Sequence, residues 1–242
     1  MKKTLVYIDG YNLYYGLLKG LPASKWLDLR TLVASMFKEE HEIVSVKYFT
    51  ARVRTYPYDI AAEERQKIYL QALAASGGVE IVEGFYNKKK AWLPHVSKKC
   101  RTCAEARAGM SHVVKLEEKR SDVNLAVTAL VDAVRLDADS FAFITGDSDQ
   151  VGTVYALRRE FGKSVLVFNP HVAVSEHLKR AATYYVCSHP PRPARPLPAA
   201  RCGAAPERPH DPPPARLGVS TSLPAPLFAT QAPLCGRAAA TT

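Results

Sequence analysis

The sequence lacks the features that would place the protein in a membrane or outside the cell. Its apolar runs fall well short of the roughly 20 residues that a membrane-spanning helix requires. Residues 1–9 begin with a basic head like that of a signal peptide, but Asp9 interrupts the apolar run after a few residues. The five cysteines fit a reducing compartment better than a disulfide framework, because three of them lie at the far end of the chain, at Cys187, Cys202 and Cys235. We therefore expect a soluble, cytoplasmic protein with no membrane partner.

Residues 188–242 contain no lysine, isoleucine, tyrosine or asparagine. The same segment holds 13 of the 17 prolines of the chain. Such a composition cannot bury enough apolar surface to offset the entropy lost on ordering. We expect a disordered C-terminal tail, which is either a genuine appendage or the product of translation in a shifted frame. The folded domain is expected over residues 1–187.

Residues 1–187 contain five short apolar runs that alternate with stretches of helical spacing. The runs, rich in β-branched and aromatic residues, are 4–9, 42–51, 79–85, 141–145 and 163–169. Helical spacing covers 13–21, 28–37, 58–76, 122–134, 151–161 and 173–182, and a short edge segment follows at 183–187. This alternation predicts an α/β fold with a doubly wound parallel sheet of about five strands. Because no dinucleotide-binding glycine pattern surrounds Gly10 and Gly16, a nicotinamide-dependent enzyme is disfavoured.

Two of the predicted strands end in carboxylates. Asp9 closes the first run, and Asn12 follows it at the start of a helix. Asp147 and Asp149 come just after the fourth run, beyond Gly146, which permits a sharp exit from the strand. Ligands of an open parallel sheet bind at the carboxyl ends of its strands, so these side chains are expected to converge if the two strands are neighbours. The alternative is that Asp147 only caps the following helix.

A third acidic position, Asp122, lies in the first turn of the helix before the fourth strand. Three motifs thus stand in order along the chain: Ile8-Asp-Gly-Tyr-Asn12, Lys119-Arg-Ser-Asp122 and Thr145-Gly-Asp-Ser-Asp149. Together they resemble the NYN domain, a branch of the PIN-like nuclease superfamily that includes the LabA-like proteins. The resemblance covers residues 1–187 and implies a Rossmann-like, PIN-like fold of three layers, with a metal-dependent cleavage of RNA.

The resemblance also implies which side chains form the site. The acidic positions of the family match Asp9, Asp122, Asp147 and Asp149, and the polar residue beside them matches Asn12. These carboxylates would bind Mg²⁺ or Mn²⁺, because crowded carboxylates are costly without a cation and their hard oxygen atoms suit these ions.

The implied activity is that of an endoribonuclease that hydrolyses RNA phosphodiester bonds. DNA is an alternative substrate, since related folds use similar acidic clusters, and a catalytically silent module that binds RNA or protein is an alternative of another class. Two positions depart from the family's pattern. Thr128 stands where many relatives carry a further aspartate, which leaves the number of metal ions open, and Gln150 replaces an apolar residue with an expected effect on packing only. No feature of the sequence predicts an oligomeric state.

The positive charge of the domain is concentrated in residues 87–120, which carry a net charge of +7 in a loop that leads to Asp122. Phosphate contacts supply most non-specific affinity for nucleic acids, so this loop is expected to attract a polyanion. The alternative is a solvated surface loop. The basic residues expected to contact nucleic acid are Lys88, Lys89, Lys90, Lys98, Lys99, Arg101, Lys119 and Arg120, together with Arg52 and Arg54 after the second strand.

The same segment contains a Cys-x-x-Cys pair flanked by histidines. These four residues have the ligand types of a structural zinc site, at His95, Cys100, Cys103 and His112. There is no second Cys-x-x-Cys in the sequence and the histidine spacings are loose, so two free thiols are the alternative.

Three tyrosines, Tyr11, Tyr14 and Tyr15, lie beside Asp9 and Asn12 in the sequence. They are either a stacking surface for bases near the scissile phosphate or part of the core, and for any single one the core is favoured.

Overall fold

The computed structural model describes residues 1–21, 24–37, 39–54, 60–94 and 110–187. Its strands are β1 (Lys2–Asp9), β2 (His41–Ala51), β3 (Glu80–Pro94), β4 (Met110–Lys119), β5 (Ser140–Ile144), β6 (Ser164–Asn169) and β7 (Tyr184–Cys187). They form one sheet in the order β4-β3-β2-β1-β5-β6-β7. Neighbouring strands are parallel except for β3 and β4, which are antiparallel. The predicted α/β fold is confirmed, and the sheet exceeds five strands because β4 and β7 extend its two edges.

Helices cover both faces of this sheet. They are α1 (Gly10–Leu13), which continues as a π-helical turn (Tyr14–Leu18), α2 (Leu29–Met36), α3 (Ile60–Ser76), α4 (Ser121–Arg135), α5 (Val151–Arg159) and α6 (Glu176–Ala181), with a 3₁₀ turn at Ser148–Gln150. Helices α4, α5 and α6 share one buried apolar cluster with the sheet, and α1, α2 and α3 share the other. The molecule therefore has three layers, with a hydrophobic core on each side of the sheet.

The central strands are apolar throughout because helices lie against both of their faces. Every residue of β5 is buried, and so are the last six residues of β1. On the side of α4, the Tyr7 ring stacks with Phe49, Phe141 and Phe143 at centroid distances of 6.2, 5.9 and 5.2 Å. The neighbouring strands β1 and β5 are therefore tightly packed up to the carboxyl edge of the sheet.

Several predicted helix boundaries agree with the structure. Asp28 caps α2, since its carboxylate accepts hydrogen bonds from the Arg30 backbone N–H at 2.9 Å and the Thr31 hydroxyl at 2.7 Å. Helix α3 ends before Gly77 and Gly78, which both have a positive φ.

Two other helices differ from the prediction. The helix predicted over 13–21 lies three residues earlier, as the short α-helix Gly10–Leu13 and the π-helical turn Tyr14–Leu18. The last helix begins at Glu176 rather than at residue 173, where the Ala173 carbonyl instead accepts a hydrogen bond from the Asn169 side chain at 2.8 Å.

The basic segment is not the loop that the sequence predicts. Strand β3 continues to Pro94, far beyond the predicted end at residue 85, and pairs with β4 from Phe85↔Lys119 to Pro94↔Met110. This pair forms a hairpin arm that leads into α4. Residues 95–109, which join its two strands, lie outside the described residues, as do residues 188–242 of the predicted tail. In the described parts of the chain, no helix is long and apolar enough to cross a membrane.

Candidate active site

The site is built on β1 and β5, which are parallel neighbours as the convergence of their carboxylates requires. They pair from Thr4↔Ser140 to Ile8↔Ile144, so Asp9 and Thr145 leave the sheet side by side. The Thr145 hydroxyl donates a hydrogen bond to Asp9 Oδ2 at 3.0 Å and accepts one from the Asp147 backbone N–H at 3.1 Å. The two strand ends are thereby connected directly.

Asp9 is buried, with 4% of its surface exposed, and its carboxylate is fully hydrogen-bonded. Oδ1 accepts from the backbone N–H groups of Tyr11 and Asn12 at 3.1 and 3.0 Å, which caps α1. Oδ2 accepts from the Asn12 side-chain amide at 2.6 Å and from the Thr145 hydroxyl. Burial raises the pKa of Asp9, and its hydrogen bonds oppose that shift. Through both of its oxygen atoms, Asp9 therefore fixes the positions of Tyr11, Asn12 and Thr145.

Asn12 connects Asp9 to His171, which lies at the end of a third strand and is not part of the predicted site. The Asn12 Oδ1 atom accepts a hydrogen bond from the Gly146 backbone N–H at 3.1 Å and lies 3.1 Å from His171 Nε2. His171 follows β6, the next parallel strand, and its backbone N–H donates to the buried side chain of Asn169. An Asn-Pro-His sequence at the end of a third parallel strand was the available signal.

Gly146 is required for space rather than for a sharp turn. It is not among the described residues with a positive φ. A Cβ atom at this position would meet the Asn169 side-chain oxygen and would lie 2.9 Å from His171 Cδ2. The glycine therefore allows the ends of β5 and β6 to approach each other.

The segments that carry the other carboxylates are joined by hydrogen bonds. Asp147 Oδ1 accepts from the Asp149 backbone N–H at 3.0 Å, so Asp147 does cap the 3₁₀ turn, as the alternative interpretation predicts. Gln150, at the end of this turn, donates from its side chain to the Asp122 carbonyl at 3.2 Å. Gln150 is buried and also contacts the Thr153 hydroxyl, so its role exceeds the packing expected of it. It fastens the first turn of α4 to the strand ends.

Asp122 lies in a strongly negative environment. Burial raises the pKa of its carboxyl to about 6, and so do the nearby negative charges of Asp9, Asp147, Glu118 and Asp149. Glu118, a further carboxylate that the motifs did not include, lies at the end of β4 and accepts a hydrogen bond from the Ser121 backbone N–H at 3.2 Å. It enters the site because the hairpin arm leads directly into α4.

The predicted acidic residues thus share one edge of the sheet. None of the salt bridges between described residues involves Asp9, Asp122, Asp147 or Asp149. In the described ranges, no three Asp, Glu, His or Cys side chains form a ready-made group that could hold a metal ion. The carboxylates interact electrostatically and have the oxygen donors that a hard divalent cation requires, but they do not form a closed cage.

The arginines predicted to contact phosphate have different surroundings. Arg52 forms two hydrogen bonds with Glu83 on β3, at 2.7 and 2.9 Å, so its guanidinium is already engaged. Arg120 lies over the Phe85 ring at 4.7 Å and has a positive φ, at the turn into α4. Arg54 lines a cavity described below.

The described lysines of the hairpin arm divide between its two faces. Glu117 forms ion pairs with Lys115, Lys89 and Lys119, at 2.6, 2.7 and 3.4 Å. The ammonium groups of Lys115 and Lys89 lower the pKa of Glu117 to about 2. Lys88 and Lys90 alternate with Lys89 along β3, so they project from the opposite face. The predicted candidates Lys98, Lys99 and Arg101 lie outside the described residues.

The zinc prediction has one member in the described part of the chain. His112 lies on β4, opposite Trp92, and the two rings stack with centroids 4.8 Å apart. His95, Cys100 and Cys103 fall in the range 95–109, so zinc binding stays a prediction.

A cavity of about 530 Å³ opens beside the turn that carries Asp9. Its lining includes seven aromatic side chains, those of Tyr11, Tyr14, Tyr15, Trp26, Tyr48, Tyr69 and Tyr86. The turn itself reaches the cavity at Gly10, where a Cβ atom would lie 2.7 Å from the Tyr48 ring and 2.8 Å from the Phe49 carbonyl. The three tyrosines of the first helix therefore line a cavity next to the carboxylates.

Comparison with known proteins agrees with this arrangement of fold and motifs. Residues 3–189 match the NYN domain, and the chain belongs to this family, which is part of the PIN-like nuclease superfamily. Domains of this family are generally nucleases that act on nucleic acids.

Two individual proteins are also similar to the chain. The 6-hydroxy-3-succinoylpyridine 3-monooxygenase HspA of Pseudomonas putida (strain DSM 28022 / S16) is 34% identical over 180 residues, which cover 64% of this chain and 55% of that protein. This chain therefore spans about half the length of that relative. A crystal structure of a protein of unknown function from Vibrio parahaemolyticus RIMD 2210633 has 20% sequence identity and a TM-score of 0.45, over 77% of this chain and 92% of the other.

Proposed function

We propose that this protein is a metal-dependent endoribonuclease whose active site is the carboxylate edge formed by Asp9, Asp122, Asp147 and Asp149. The observation that carries the proposal is that four carboxylates from three separate elements are fastened to one edge of the sheet with no lysine or arginine of the described chain paired to them. Membership of a nuclease family supports it. A cluster of like charges around the buried Asp9 is unfavourable, so its maintenance suggests a cationic ligand.

The hydrogen bonds suggest different tasks for the four carboxylates. Asp9 has no lone pair left for an ion unless it gives up a hydrogen bond, so it fixes Asn12 and Thr145 in position. The side chain of Asp122, and those of Asp147 and the exposed Asp149, retain oxygen atoms that could hold Mg²⁺ or Mn²⁺. Such an ion would supply an activated water and would stabilise the charge that develops on the phosphate.

The proposal is tested with the full chain and a labelled single-stranded RNA. We expect cleavage in the presence of Mg²⁺ or Mn²⁺, none in excess EDTA, and a loss of about 100-fold or more in Asp147→Asn. Asp137→Asn is the matched control, because Asp137 is an exposed carboxylate that pairs with Lys3 at 2.8 Å. Full cleavage in EDTA, or by Asp147→Asn, would contradict the proposal. RNA binding without any metal-dependent cleavage would instead support the catalytically silent module.

A second candidate function comes from the pseudomonad relative, whose name gives a small heteroaromatic acid as substrate. The aromatic cavity, with Lys25 and Arg54 among its lining residues, could bind a molecule of that class. Adding 6-hydroxy-3-succinoylpyridine to the protein in a thermal-shift experiment separates the two candidates. A saturable stabilisation without RNA cleavage would favour the monooxygenase-like activity, and no stabilisation would remove it.

A further inference from the structure

The aromatic cavity has walls suited to a planar ring. Trp26 and Tyr69 meet edge to face at 6.2 Å, Tyr11 and Tyr86 at 6.0 Å, and the exposed Tyr15 stacks against Tyr11 at 6.4 Å. Aromatic side chains that border a cavity offer ring faces on which any nucleobase can stack.

The walls of the cavity are fixed by hydrogen bonds to the backbone. The Tyr11 hydroxyl donates to the Ala51 carbonyl at 2.7 Å, and the Tyr69 hydroxyl donates to the Leu27 carbonyl at 2.8 Å. Gln66, at the back of the cavity, accepts from the Val53 N–H and donates to Ala51. Because these polar groups serve the fold, the cavity recognises a ligand mainly through stacking.

The charge around the cavity suits an anionic ligand. Lys25, Arg54 and Arg65 line it, and none of the described residues that line it is acidic. The Gly10 turn joins the cavity to the proposed active site, since Asp9 directly precedes Gly10, and Gly10 and Tyr11 both line the cavity. A nucleotide bound here would have its base beside the tyrosines and its phosphate near both the basic side chains and the carboxylate edge.

One face of the hairpin arm extends this cavity. Tyr86 and Leu116 line the cavity, and residues that are opposite each other or two apart on paired strands share a face. The same face therefore carries Lys88, Lys90 and the stacked pair of Trp92 and His112, with one acidic residue, Glu118, opposite Tyr86 at the end nearest the carboxylates. The other face carries Lys89, Lys115 and Lys119 around Glu117. Tyr86 and Trp92 are six residues apart on β3, or about 20 Å, a distance that spans several nucleotides.

We propose that the cavity and the Tyr86–Trp92 face of the hairpin arm form one binding track for single-stranded RNA, in which an unpaired base enters the cavity and the following phosphates contact Lys88 and Lys90. This inference depends on the proposed nuclease function for its substrate class. Its test does not depend on cleavage, because it measures binding in excess EDTA. A failure of the track and a failure of catalysis are therefore distinguishable.

The two tryptophans of the chain make the track directly observable. Trp26 lines the cavity and Trp92 lies on the hairpin face, and the sequence contains no other tryptophan. Trp92→Phe leaves only the fluorescence of Trp26, and Trp26→Phe leaves only that of Trp92. Titration of each variant with a short oligoadenylate should quench both reporters at the same concentration, and a duplex of the same length should quench neither.

Substitutions on the two hairpin faces then test the role of the lysines. The Lys88→Ala, Lys90→Ala double variant should weaken binding and reduce the log-log salt slope by about 1.4, as expected for the loss of two single-strand phosphate contacts. Lys89→Ala is the matched control, because its ammonium pairs with Glu117 on the opposite face, and it should leave the slope unchanged. Tyr15→Ala should weaken binding by roughly 5- to 100-fold if a base stacks on it, whereas Tyr184→Ala, at an equally accessible site on β7, should not.

Three outcomes would overturn the track. Equal quenching by duplex and single strand would exclude an inserted base. An equal salt slope for the double variant and Lys89→Ala would show that the arm does not contact phosphates. Quenching of Trp26 by a free heteroaromatic acid such as nicotinate, with none by the oligoadenylate, would assign the cavity to small molecules.

Discussion

Helix α4 carries two carboxylates with opposite environments. Near its end, Asp132 is buried and contacts Lys47 Nζ at 2.7 Å and the Tyr7 hydroxyl at 2.7 Å. In its first turn, Asp122 has its pKa raised by burial and by the neighbouring carboxylates Asp9, Asp147, Glu118 and Asp149. The two positions are ten residues apart on one helix that packs against one sheet.

We interpret this difference as that between a structural carboxylate and one available to the proposed metal ion. Asp132 has its charge compensated by the protein itself, so it helps to hold α4 against β1 and β2. Asp122 has no such compensation among the described residues, and the fold holds it at the carboxyl edge of the sheet despite the cost. This contrast predicts opposite effects of removing charge at the two ends of the helix.

The largest change in stability is expected at Asp132, whose charge is compensated by Lys47. Lys47→Met leaves the Asp132 carboxylate buried without its cation, and it should lower the free energy of unfolding by roughly 3–5 kcal/mol. Chemical denaturation measures this loss. Lys3→Met is the control, since Lys3 pairs with the exposed Asp137 and should cause no measurable change. A loss at Lys47 no larger than that at Lys3 would mean that the pair with Asp132 is not structural.

A smaller change of opposite sign, a gain in stability, is expected at Asp122 in the first turn of α4. Asp122 has a raised folded-state pKa, so its contribution to stability is complete below about pH 4 and is lost as the pH rises through about 6. Asp122→Asn should therefore stabilise the metal-free protein by about 1 kcal/mol near pH 8, a value reduced from the full shift because the group is only half-buried. The gain should vanish near pH 4. A destabilised variant at the higher pH would contradict the crowding of the carboxylates.

An effect as small as that at Asp122 is expected at Asp28, which gives the pH dependence of a structural carboxylate. Hydrogen bonds from Thr31 and from the backbone N–H groups of α2 lower the pKa of Asp28, so its contribution is present above about pH 4 and is lost at lower pH. Asp28→Ala should cost about 1 kcal/mol at neutral pH and less in acid. Asp28→Asn, which keeps a capping oxygen, should retain most of the stability without the pH dependence. An Asp28→Ala loss that is equal at both pH values would show that the cap is not ionic.

The sequence predicted the centre of the fold because local pattern and tertiary packing agree there. Strands β1 and β5 are short apolar runs, and helices cover both of their faces, so their period and composition gave their place and their parallel pairing. The proximity of Asp9 and Asp147 follows from that pairing. The acidic position Asp122 also followed, since helical spacing begins immediately after it.

Other features were not predictable because they depend on contacts between distant segments. Both faces of the hairpin arm mix lysines with apolar residues and neither face is fully apolar, so its sequence resembles a loop. Its pairing also brings Glu118 into the site and turns Lys89 away from Lys88. His171 lies in the candidate site because the end of β6 closely approaches Gly146. The sequence pattern of one strand does not reveal such an approach between two strands.

The central claim is that the carboxylate edge is kept for a divalent cation, and titration calorimetry with Mn²⁺ tests it most directly. The full chain should bind Mn²⁺ in a saturable way, and so should Asp137→Asn, in which only an exposed carboxylate is removed. Asp122→Asn and Asp147→Asn should bind at least about 10-fold more weakly. Equal affinity in all four proteins would show that the uncompensated carboxylates are not a cation site, and the account would be wrong.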